Sequence, residues 1–268
     1  MPARIHCLVD TVAAPGYMPE FGLSLFIEFD EHRILFDTGA GEALVPNAAR
    51  MGIDLNSAAD IILSHGHYDH TGGLAKLAPP PRTPVYAGRG VVEPCWSLHD
   101  DGTKHRLTMP LGSQNILNKC RVREINAFTG IRPGIFLTGP IPCESGEDCG
   151  GLFFSDEACT KPNPIPEEQA LLLDSGILIT GCCHAGIINT VEACRKARPD
   201  IAIRAIVGGL HLRHADETRL ERTASCLASL GLERLVLMHC TGENAAEYLR
   251  SRLACAVAAL PAGRSMDL

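Results

Sequence analysis

The chain has 268 residues, 46% of them hydrophobic, and a net charge of -7. That length buries a full two-sheet core and suits one large domain better than two small ones. An acidic balance with no block of like charges argues against nucleic acid or an anionic membrane surface as partner. No run approaches the roughly twenty apolar residues that span a bilayer, and Asp10 arrives too early for a signal-peptide core, so a cytoplasmic protein is expected.

In chain order, alternating apolar residues predict a strand hairpin, Phe21 to Phe29 and Arg33 to Asp37, joined at Asp30-Glu31. A helix over Gly41 to Met51 is closed by Gly52, and Ile61 to Leu63 is a short buried strand. Leu74 to Leu77 reads as a brief helix stopped by Pro79-Pro80-Pro81. From about residue 88 to 166 the rhythm is lost among prolines, which predicts an insertion or lid over a site. Regularity returns with a strand pair, Ala170 to Leu173 and Gly176 to Ile179, and a helix over Ile187 to Arg198. A strand over Ile201 to Val207, a capped helix over Asp216 to Leu230, a strand over Leu235 to Met238 and a helix over Glu243 to Leu253 follow. Strand-helix alternation of this kind predicts an α/β sandwich in a single domain.

One stretch carries the chemistry. Ser64-His65-Gly66-His67-Tyr68-Asp69-His70 packs three imidazoles and a carboxylate directly after the Ile61-Ile62-Leu63 strand and before Gly72-Gly73. Imidazole nitrogen and carboxylate oxygen suit Zn²⁺ and related divalent ions. Thr71 and the amides of Gly72-Gly73 are candidate anchors for an anionic substrate group. His184, in Cys182-Cys183-His184, and His239, before Cys240, each lie just beyond an apolar strand. His211 follows Gly208-Gly209 and suits a substrate-binding or ligand-orienting role as well as ligation. His99 and His105 sit in the irregular segment, within reach of the site from above, whereas His6, His32 and His214 have no motif around them.

Twelve cysteines do not form a disulfide framework of the small secreted type. Cys194, Cys226 and Cys255 fall among apolar residues and read as small hydrophobes. Cys143, Cys149 and Cys159 have no standard zinc spacing and read either as accessible thiols or as a second structural metal site.

The pattern His-x-His-x-Asp-His after a strand resembles the signature of the metallo-β-lactamase superfamily. The early strand Ile34-Leu35-Phe36-Asp37-Thr38-Gly39, Thr180 to Gly186, Gly208 to Leu212 and Met238 to Gly242 resemble one branch of it. That branch is related to the dihydropterin-ribofuranosylaminobenzene-phosphate synthase of methanopterin biosynthesis. The resemblance implies an αββα sandwich of two mixed sheets flanked by helices, with a metal site at the sheet edge. It implies two divalent ions, Zn with Mn or Fe as alternatives: His65, His67 and His184 on one, Asp69, His70 and His239 on the other. Asp37 would orient a ligand. It also implies catalytic roles for Asp69 and His211, and His67 argues against an oxygen-reducing diiron centre, whose bearers carry glutamate there. Where many binuclear members have a bridging aspartate this chain has Cys182. Two readings stand: a thiolate ligand, or a side chain packed inward while His184 faces the metal. The implied function is metal-dependent hydrolysis, or a pterin-linked condensation, on a small anionic substrate. A lactonase or thioesterase, and a non-catalytic metal-binding sensor, are the alternatives.

Overall fold

The computed structural model describes residues 2–77, 83–99, 101–147 and 151–268. They fall into two units, one of Met1–Ile125, Gly151–Glu167 and Leu260–Leu268, the other of Asn126–Gly150 and Glu168–Ala259. Pro79-Pro80-Pro81 and Cys149 lie outside the described residues.

The first unit is built on a seven-stranded sheet in the order Ser265–Asp267, Ala3–Val9, Ser24–Phe29, His32–Phe36, Asp60–Ile62, Pro84–Gly88, Arg121–Ile125. The first three pairings are antiparallel and the last three parallel. The hairpin turns at Asp30-Glu31, with Asp30 in the left-handed region at φ 52, a conformation that aspartate tolerates. Leu8, Phe26, Leu35, Leu44, Leu63 and Val85 belong to one apolar cluster beneath the helix Leu44–Met51. That helix ends as expected, at Gly52 with φ 72, whose N–H returns to Ala48 and Ala49.

Its start was not legible. The helix begins at Leu44, not Gly41, and the Glu20 carboxylate holds the turn before it, accepting the N–H groups of Ala40 (2.7 Å), Gly41 (3.1 Å), Glu42 (2.6 Å) and Ala43 (2.9 Å). The irregular segment contains its own small sheet, with Trp96–Leu98 between Leu152–Phe154 and Lys104–Arg106.

The second unit holds another seven-stranded sheet, in the order Ala256–Ala259, Arg234–Leu237, Ala205–Gly208, Ile177–Thr180, Leu171–Leu173, Ile135–Leu137, Thr129–Arg132. Here too one half is parallel and one half antiparallel. Helices Ile187–Ala197, Glu217–Ser229 and Glu243–Arg252 pack Val191, Leu227 and Leu249 against Leu178, Ile206 and Leu235. The Asp216 side chain caps the second of these at the Arg219 N–H, 2.8 Å away. The strand expected over Ile201 to Val207 begins only at Ala205. Arg204 is drawn away because its N–H bonds the Gly176 carbonyl and its Nε the Ser175 carbonyl.

Removing the Glu20 carboxylate tests the weight of the turn it holds. Glu20→Ala should lower stability by about 2 kcal/mol, read as a shifted denaturant midpoint with an unchanged slope, because charge-assisted hydrogen bonds are lost together. Glu20→Gln should retain part of that.

Candidate functional site

Each candidate side chain stands at the carboxyl end of a parallel strand, where backbone groups leave the ladder and side chains turn to the sheet edge. In the first unit, Asp37 follows His32–Phe36 and the histidine stretch follows Asp60–Ile62, and these two strands pair in register at Phe36 and Ile62. The second half of the motif is not a loop, since Tyr68–Thr71 forms one helical turn that carries Asp69 and His70.

Asp37 is fully buried and organises this turn. Its Oδ1 accepts the Ser64 N–H at 2.7 Å, and its Oδ2 accepts the Ser64 hydroxyl at 2.7 Å and pairs with His70 Nδ1 at 2.7 Å. A carboxylate on one ring nitrogen is how ligand imidazoles are oriented, with the other nitrogen aimed at the ion. Ser64 Oγ also lies 2.9 Å from His65 Nδ1. The His65 ring sits 4.5 Å from that of His67 and 4.3 Å from that of His70, centroid to centroid. Asp69 Oδ2 is 3.6 Å from His70 Nε2. All four motif residues are buried.

The irregular segment reaches the motif, but through residues not anticipated. Phe153 stands against the His67 ring at 5.5 Å, and Cys95 Sγ is 3.3 Å from His67 Nε2. Burial and the nearby Glu167 carboxylate push the Cys95 thiol up to about 12. His99 and His105 face each other at 4.7 Å on the small sheet and are exposed. The amides proposed as an anion anchor are committed elsewhere: Thr71 N–H donates to His67 and Gly73 N–H to Gly39. The Gly72-Gly73 pair serves packing instead, since a Cβ on Gly73 would meet the Thr38 carbonyl oxygen at 2.0 Å.

In the second unit the parallel strands Ile177–Thr180, Ala205–Gly208 and Arg234–Leu237 align Thr180, Gly208 and Leu237 in register. The turns beyond them carry Cys182 and His184, then His211, then His239 and Cys240. The His184 and His211 rings are 4.4 Å apart. Cys183 joins the apolar cluster and its Sγ lies 3.4 Å from Thr190 Oγ1, whereas Cys182 lies beside His211 and Cys240. Burial raises the Cys240 thiol, but the Cys182 hydrogen bond and the adjoining His239 and His211 outweigh it and leave the thiol well below its ordinary value.

Glu168, which no motif announces, holds the His184 turn. Its buried carboxylate accepts the N–H groups of His184 and Ala185, both at 2.7 Å. Burial pushes its pKa up to about 7 despite those bonds. Asp37, Cys183, His211 and His239 all have φ between 50 and 65. Such conformations cost on the order of 1 kcal/mol each and gather at functional sites. Cys143 belongs to the second unit and Cys159 to the first.

Mixed sheets flanked by helices, with a His-x-His-x-Asp-His turn on a parallel strand end, define a metallo-β-lactamase fold. The chain belongs to the metallo-beta-lactamase superfamily, whose sequence profile matches residues 17–156. It is 29% identical to the 7,8-dihydropterin-6-methyl-4-(beta-D-ribofuranosyl)-aminobenzene-5'-phosphate synthase of Methanocaldococcus jannaschii, over 90% of this chain and 88% of that one. A crystal structure described as a metal-dependent hydrolase of the beta-lactamase superfamily superposes with a TM-score of 0.87 at 28% identity, covering 99% of both chains. A diphosphatase of the PhnP family shares the fold at 13% identity, with a TM-score of 0.57 over 100% of this chain and 98% of that one. No helix among the described residues is long and apolar enough to cross a membrane.

Two outcomes test this geometry. Asp37→Asn keeps the shape but removes the charge opposite His70, and should weaken metal affinity by about 10–100-fold in a chelator competition. Glu168 should impose a pH dependence on the metal-free protein. Its folded pKa lies above the ordinary carboxylate value, so its contribution is complete below about 4.5 and is lost as pH rises through about 7. Over that window stability should fall by about 3 kcal/mol relative to Glu168→Gln, measured by urea unfolding at each pH.

Proposed function

We propose that this chain is a metal-dependent enzyme acting on a small anionic substrate. His65, His67 and His184 would hold one divalent ion, and Asp69, His70 and His239 a second. The observation that carries this reading is the Asp37–His70 contact at 2.7 Å beside two further buried imidazoles and the buried Asp69 carboxylate. A buried carboxylate fixing an imidazole, in a cluster of nitrogen and oxygen donors, has the chemistry of a divalent-metal site. Such donors suit Zn, and Mn or Fe bind the same set.

When bound, the ions supply Lewis-acid polarisation of a phosphoryl or carbonyl oxygen and lower the pKa of a coordinated water toward about 7. The chain's own residues do the rest. Ser64 and Asp37 fix the His65 and His70 rings before any ligand arrives, so little reorganisation is left to the reaction. Phe153 and Cys95 shield the His67 ring from water. In this reading Asp69 would orient the attacking nucleophile, and the half-buried His211 would meet the oxyanion of the substrate.

Membership of the superfamily supports hydrolysis as the underlying chemistry. The synthase name of the 29%-identical relative supports a pterin-linked phosphoester as substrate, with departure of a phosphate or pyrophosphate group. Both readings need the same donors.

Removal of metal by a chelator should abolish turnover of phosphoester substrates, and restored divalent ion should return it. His67→Ala should lose one ion per chain by elemental analysis while its circular dichroism stays that of the wild type. Wild-type metal content in that variant would refute the ligand assignment.

A further inference from the structure

The second unit carries two cysteines that the proposed function does not use, gathered around His211, the one residue the two readings share. Three adjacent parallel strands end in register at Thr180, Gly208 and Leu237, and two or three residues beyond each stand Cys182, His211 and Cys240. Each offers one ligand atom, and the three atoms lie within 4.8 Å of one another. Zn–S bonds of about 2.3 Å in a tetrahedral site put neighbouring donors roughly 3.8 Å apart, so closure onto an ion asks for less than about 1 Å of movement.

The surroundings are built to keep these sulfurs together. Gly209 lies against Cys240, and a Cβ there would meet Cys240 Sγ at 2.6 Å, so any other residue would displace the thiol. Cys240 Sγ is turned to the Cys182 carbonyl at 3.5 Å. Both cysteines are buried, at 3% and 6% exposure, yet neither joins the apolar cluster that absorbs Cys183 and Cys194. His211 is half-buried and its backbone is held at φ 50.

We propose that Cys182, His211 and Cys240 form a thiolate–imidazole site for a thiophilic divalent cation of the Zn²⁺ class. Two sulfurs and one nitrogen select Zn²⁺ or Cd²⁺ over Mg²⁺ and Mn²⁺, which prefer oxygen. Three protein ligands leave a fourth position for water or for a ligand atom. Each thiol gives its proton to solvent as it binds the ion, so occupancy rises with pH and releases protons. The ligand atom of Cys182 also lies within 4.8 Å of those of His184 and His239, so this site adjoins the histidine ligands of the proposed function, and the Cys240 arm of the test tells the two apart.

The test uses the full-length protein with its thiols reduced and Cd²⁺ alone as the probe. Two readouts apply: sulfur-to-cadmium charge-transfer absorption in the ultraviolet, and protection of each cysteine from alkylation, mapped by mass spectrometry. The wild type should develop the band with the first equivalents of Cd²⁺ and protect both Cys182 and Cys240. Cys240→Ser and His211→Ala should each lose that response, while His67→Ala, which addresses the proposed histidine centre, should keep it. An undiminished band in Cys240→Ser, including the case in which only Cys182→Ser removes it, would overturn the proposal. Should Cys240→Ser fail to fold by circular dichroism, alkylation of wild-type Cys240 at the same rate with and without Cd²⁺ would overturn it equally. Metal loss from His67→Ala with an intact sulfur band supports both sites. An intact band with unchanged metal content in that variant leaves this site standing and removes the other.

Discussion

The buried Asp37 carboxylate is the fixed point of the first unit. A charge with no exposure is tolerated only when its oxygens are fully engaged, and here the Ser64 N–H, the Ser64 hydroxyl and His70 Nδ1 engage them, all at 2.7 Å. Those contacts tie the end of one strand to the turn that follows its neighbour. Without them the helical turn Tyr68–Thr71 would have no reason to present Asp69 and His70 at a defined angle. The carboxylate is itself held in a left-handed conformation at φ 56, a cost that its bonds repay.

The second unit solves the same problem with a different residue. Glu168 reaches the His184 turn through two backbone N–H groups rather than through a ring nitrogen. In both units parallel pairing in register brings the residues after each strand to a common edge, and a buried carboxylate then fixes one turn at that edge. Register does the gathering and the carboxylate does the aiming. The two devices explain why donors far apart in sequence, such as Cys182 and Cys240, meet within the unit.

Much of this was legible in the chain. The strand hairpin, the helix closed by Gly52, the Asp216-capped helix and the His-x-His-x-Asp-His turn all rest on local periodicity or motif, which short segments encode. The unreadable parts were those decided at a distance. Glu20 looks like any acidic loop residue until its carboxylate is seen collecting four amides. Glu168 follows prolines and another glutamate, with no hint of burial. Phe153 and Cys95 contact His67 while His99 and His105 are exposed, an arrangement set by tertiary packing that no local motif encodes. The strand expected from Ile201 was shortened by Arg204, whose partners lie twenty-eight or more residues earlier.

The left-handed residues carry a consequence for how this chain can diverge. Asp37, His211 and His239 occupy backbone conformations that asparagine and glycine accept readily and β-branched residues adopt at greater cost, as Ile165 does at φ 55. Conformation and donor chemistry are therefore separate demands on the same positions. A descendant that exchanges an imidazole for asparagine keeps the shape of the turn and loses the donor. Substitution by asparagine therefore separates loss of the donor from loss of the turn, while valine or isoleucine would add a backbone penalty to the lost donor.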